Sequence, residues 1–120
     1  MSLAALVLVL AACVAIIVLG GRFVLSPRRA TLDYGVASDD LRALTEIKGV
    51  RDIVSGVVLL AVWASAGRNA LGWAVLAAAL TPLSDAVIVR GHGGKLATAL
   101  GVHGLTAVAL VAAGLVLVLA

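Results

Sequence analysis

From Leu3 to Leu25 the chain carries a single charged side chain, Arg22, near the end of the run. That stretch constrains the fold more than any other, because about twenty helical residues at a rise of 1.5 Å cross the hydrocarbon core of a bilayer. Three more apolar runs follow. Of all residues 63% are apolar, 12% charged and 3% aromatic, which lies outside the range of soluble globular domains. The sequence therefore reads as a single all-α integral membrane domain over residues 1–120. The expected architecture is a four-helix transmembrane bundle with helices at about 3–25, 47–66, 70–89 and 97–119. Met1-Ser2 brings no basic residue ahead of a run too long for a leader's apolar core, so the first helix is expected to be retained.

The connections carry their own signals. Ser26 is placed to cap and Pro27 to open a short interfacial helix through about Tyr34, with Gly35 as its stop. Ser38-Asp39-Asp40 reads as the start of the second helix, since acidic residues suit the positive end of a helix dipole. That helix should enter the membrane near Ile47. Gly67-Arg68-Asn69 reads as a tight turn closing a hairpin of helices two and three, with Trp63 and Trp73 on either side as an aromatic belt. Pro82 lacks the N–H that would bond the carbonyl of Ala78, so a kink is expected one turn before Asp85. Gly91-His92-Gly93-Gly94-Lys95 is the next loop, and its glycines lack the spacing and preceding strand of a phosphate loop.

All but one of the nine basic residues fall on one side of this arrangement, the exception being Arg68. By the positive-inside rule both termini are expected outside a cell membrane that the chain crosses several times. Every acidic residue also falls on the cytoplasmic half. The net charge of +3, with no basic tail and no interleaved aromatics, is an orientation signal and not a nucleic-acid footprint. The single cysteine, Cys13, sits within the first apolar run and reads as a small buried hydrophobe.

Ionisable groups within apolar segments are costly and by default mark function. The segment Thr45–Gly56 concentrates them. Lys48, Arg51, Asp52 and Ser55 are spaced by three and four residues, so they share a stripe of helix two on which Lys48 can pair with Asp52. Asp52, Asp85 and His103 each lie five to seven residues inside their helices, which puts all three roughly 7 to 11 Å below the same surface. Arg51 could then pair with Asp85 across helices. One account is that these charges staple the cytoplasmic helix ends while Arg22 and Lys48 snorkel to the headgroups. The other is a polar pocket of Arg22, Lys48, Arg51, Asp52, Ser55, Gly56, Asp85 and His103 under an apolar wall, suited to a lipophilic small molecule. Asp52, Asp85 and His103 are its candidate acids and bases, should it catalyse. His103, between Gly101 and Gly104, also fits a helix-packing position. No cofactor is expected, and no metal, because one buried histidine and two aspartates matched with cations are too few free ligands. No nucleophile motif supports acyl transfer.

Two rivals to the pocket follow from the same residues. A structural or accessory module would associate through glycine- and alanine-rich helix faces, with the bilayer, a second copy of the chain or another membrane protein as partner. A transporter would need polar groups continuing to the outer side, where none occur. Lys48-Gly-Val-Arg51 is echoed by Leu100-Gly-Val-His103, the pattern parallel repeats would leave, though few letters match.

Gly21-Arg22-Phe23, Ser26-Pro27, Asp33-Tyr34-Gly35 and Ile47-Lys48-Gly49-Val50-Arg51-Asp52 with Gly56 resemble a small membrane family known as domain of unknown function 4267. Leu71-Gly72-Trp73, Pro82, Asp85, Arg90-Gly91-His92-Gly93-Gly94 and His103-Gly104 extend the resemblance to nearly the whole chain. It implies four helices and assigns no activity, so no residue roles come with it. A broader similarity to the four-helix DoxX-like proteins rests on architecture alone.

Overall fold

The computed structural model describes residues 3–37 and 39–120; Met1, Ser2 and Ser38 lie outside it, as does the Cys13 side chain. The described residues are all-α, without strands. In order they form α1 (Leu3–Leu25), α2 (Pro27–Tyr34), α3 (Leu41–Ala78), α4 (Leu80–Gly91), α5 (Leu96–Thr98), a π-helical turn and a half over Ala99–Gly104, and α6 (Leu105–Leu119). Leu41–Gly91 and Leu96–Leu119 are long and apolar enough to cross a membrane. The chain groups into two units, Met1–Val50 and Arg51–Ala120.

In the first unit α1 passes into α2 through one bent residue. Ser26 occupies the cap position without a side-chain bond, which corrects the expected hydroxyl cap. Its backbone continues the ladder on both sides: the Ser26 N–H donates to the Arg22 carbonyl and the Ser26 carbonyl accepts from Ala30. Pro27 opens α2 as expected. Gly35 ends it at φ 105°, with the Gly35 N–H on the Leu32 carbonyl and the Val36 N–H on that of Thr31, a Schellman stop. α3 begins one residue beyond the acidic pair, and its cap is Asp40, whose Oδ1 accepts the Ala43 N–H at 3.0 Å. The expected serine cap at Ser38 lies outside the described residues.

In the second unit α3 is broken at Gly67, where φ 84° and ψ −170° suit only glycine. The expected turn is thus a single residue, since Arg68 and Asn69 are already helical. Residues 51–66 are exposed around the whole helix except for half-buried Leu59 and Val62, so this segment presents no buried stripe. Trp63 and Trp73 both point outward.

Packing is concentrated where the end of α3 and α4 lie antiparallel to α6. Asn69 Nδ2 donates to the Val118 carbonyl at 3.1 Å, and Gly72 meets Gly114. A Cβ on Gly72 would stand 3.0 Å from the Gly114 carbonyl oxygen and 2.8 Å from Val118, and one on Gly114 would stand 2.8 Å from Leu76. Only two missing side chains allow that approach. The hydrogen-bond ladder is interrupted beside Ala79, three residues before buried Pro82, whose missing N–H cannot bond the Ala78 carbonyl, while Ala79 keeps helical angles, donates to Val75 and accepts from Leu83. α4 continues from Leu80. α4 ends in a second Schellman stop: the Gly93 N–H donates to the Arg90 carbonyl and the Gly94 N–H to that of Val89, with Gly93 at φ 79°. The expected continuous fourth helix is interrupted by the π-helical segment, inside which the Leu105 N–H reaches back to the Leu100 carbonyl.

Candidate functional site

The eight expected site residues divide between the units. Arg22 and Lys48 belong to the first, and Arg51, Asp52, Ser55, Gly56, Asp85 and His103 to the second. Each was read as part of one cluster, and the local structure gives several of them separate tasks.

Arg22 does not snorkel alone. Its guanidinium meets the Asp33 carboxylate at 2.6 Å, although both side chains remain about half exposed. The next residue on each helix makes a second contact, Phe23 against Tyr34, edge to face with ring centroids 6.0 Å apart. The pattern Arg22-Phe23 with Asp33-Tyr34-Gly35 is therefore an elbow that holds α2 on the end of α1. Asp33 was missed as a partner because its contact spans eleven residues and a bend.

Arg51, Asp52, Ser55 and Gly56 are exposed on α3. The Ser55 hydroxyl donates to the Arg51 carbonyl at 2.8 Å, a bond back along its own helix that uses its one proton and leaves it only acceptor capacity. No described backbone approaches Gly56, where an added Cβ would meet nothing within 4 Å. The expected Arg51–Asp85 ion pair is corrected: Arg51 is exposed, and the two side chains form no bridge with each other.

Asp85 and His103 fare differently. Both are half-buried, and neither makes a hydrogen bond or ion pair among the described residues. Asn69 on Val118 and Gly72 on Gly114 set the end of α3 antiparallel to α6. α4 packs against the π-helical segment that carries the histidine. The wide π turn, which the sequence does not announce, sets the direction in which His103 leaves its helix, and such bulges recur at functional positions.

On the same helix pair, toward Gly114, lies an apolar groove of about 440 Å³. One wall is Leu76, Ala79, Leu80 and Leu83, spaced by three and four residues, and the other runs from Ala107 to Leu115. His103 stands one helical turn before Ala107. No polar side chain lines the groove, which suits a hydrocarbon ligand.

The loop after α4 is structural. Its His92 ring bonds through Nδ1 to the Ile88 carbonyl at 2.9 Å, and a Cβ on Gly94 would collide with Val89. Arg90-Gly91-His92-Gly93-Gly94 is a helix stop. Among the described residues no three His, Cys, Asp or Glu side chains gather as metal ligands would.

No curated protein and no solved structure matches the chain. One family model does, and it covers residues 13–117, from within α1 almost to the end of α6. It includes the elbow, the Lys48–Asp52 segment, the close glycine pair and the helix stop. The chain belongs to the family described as Domain of unknown function (DUF4267).

Proposed function

We propose that this chain is a multi-pass membrane protein that binds a lipophilic small molecule in the groove between α4 and α6, with Asp85 and His103 at its polar end. The observation that carries the reading is an all-apolar groove on helices that also carry, two residues past Leu83 and four before Ala107, the half-buried Asp85 and His103, neither of them bonded to another described residue. An apolar cavity with few convergent polar groups is the common form of a ligand site.

The membrane part of the reading has its own support. Leu41–Gly91 spans 51 residues, about 76 Å as a straight helix, far more than the roughly 30 Å core of a bilayer. Gly67 divides it near the middle, so the segment supplies two crossings, and α1 and Leu96–Leu119 supply two more. The cation distribution then orients a four-helix protein in the cell membrane with both termini outside.

Native mass spectrometry of the protein purified with its lipids tests the groove. Ala112→Phe, which fills it, should remove the co-purifying ligand, and Asp85→Asn should weaken its retention. Identical bound species in wild type and both variants would sink the ligand reading. The second reading, a structural module that associates within the membrane, is favoured by one feature, the helix 51–66, where only Leu59 and Val62 are half-buried and the other side chains are exposed. Under it the same spectra would show a second protein chain and no small ligand.

A further inference from the structure

We propose that the outer face of α2 is a docking surface for the headgroups of anionic phospholipids. The inference rests on the membrane reading and concerns a surface in the other unit from the groove. α2 has the sequence Pro-Arg-Arg-Ala-Thr-Leu-Asp-Tyr, and it buries Ala30 and Thr31. Arg28 and Arg29 are exposed, and neither pairs with a described residue. The acid that helical spacing would offer Arg29 is Asp33, four residues on, and Arg22 holds it at 2.6 Å. The elbow thus fixes the helix and at the same time leaves its two arginines without an internal counter-ion.

Their position gives them no role in stabilising α2 itself. They stand in its first turn, where the helix dipole disfavours cations. They also lie within a turn of Leu25, the last residue of the apolar helix, which is 84% exposed. Beside them Leu32 and Tyr34 are more than half exposed, and a tyrosine with an apolar ring and a polar tip favours the headgroup level. Paired guanidinium groups present forked donors that match phosphate oxygens, which lysines do less well. A cationic stripe bounded by an apolar helix end and an interfacial tyrosine is complementary to a lipid phosphate layer of negative charge.

The full chain in nanodiscs of equal palmitoyl-oleoyl phosphatidylglycerol and phosphatidylcholine, released for native mass spectrometry, tests the surface. Wild type should retain the anionic lipid in excess over its bulk share. The variant carrying Arg28→Gln and Arg29→Gln should lose about fivefold in that preference per arginine, since each basic group at an anionic surface is worth on the order of 1 kcal/mol. Arg28→Lys with Arg29→Lys should keep part of it, and Arg68→Gln, which removes one charge elsewhere, should keep all of it. An unchanged preference in the glutamine variant, or none in wild type, overturns the proposal. Loss of the preference on adding inorganic phosphate at constant ionic strength would also overturn it, because the surface would then take a free anion. A chain that enters nanodiscs of neither lipid would overturn the membrane reading and this surface with it.

Discussion

At the elbow between α1 and α2, two adjacent residues on one helix meet two adjacent residues on the other, and the two contacts obey different physics. The Arg22–Asp33 bridge is half exposed, so its coupling should be only about 0.2 to 1 kcal/mol and should shrink as salt screens it. Phe23 against Tyr34 should couple by about 0.5 to 1.5 kcal/mol beyond the area it buries, independent of salt. Hydrogen exchange of the α2 amides in two double-mutant cycles, Arg22→Ala with Asp33→Ala and Phe23→Ala with Tyr34→Ala, separates them. Zero coupling in both would mean that α2 is not held by these side chains. The sequence showed each of these residues but not the pairs, because nothing local tells Asp33 to prefer Arg22 over Arg29. Pro27, Gly35 and Gly67, by contrast, were legible, since each acts through its own backbone angles.

The elements differ in what holds them. Gly72 and Gly114 permit a close backbone approach, whereas Gly56 faces open space on an exposed helix. Gly72→Ala should therefore destabilise the protein by about 1 to 3 kcal/mol through overpacking. Gly56→Ala should be neutral or stabilise it by up to about 1 kcal/mol through helix propensity. Thermal melts in one detergent compare them directly, and equal melting of Gly72→Ala and wild type would rule out tight packing at that position. The interruption beside Ala79 was readable because Pro82 removes a specific hydrogen bond. The π-helical segment was not: Ala-Leu-Gly-Val-His-Gly has ordinary helical residues, and the extra residue per turn is decided by packing against α4. His103 was picked out from its chemistry while its setting stayed hidden. Helical spacing likewise places Ser55 on a stripe without revealing that its hydroxyl bonds the Arg51 carbonyl.

For the whole molecule, the cation distribution makes a test independent of any ligand. In a Cys13→Ala background, Ser2→Cys and Leu119→Cys should react with an impermeant thiol reagent from outside, and Arg28→Cys and Lys95→Cys only from the cytoplasm. The reverse pattern would invert the proposed orientation. The elbow bears on the same placement. An ion pair and an aromatic pair side by side join a group that seeks water to one that tolerates hydrocarbon, so the junction at Ser26 is tied to the depth where those two environments meet. In the membrane placement proposed above, α1 has a fixed lower end: in membranes of different thickness it does not slide to match its length to the hydrocarbon, and the mismatch is met by tilt or by a change in the lipid around its other end.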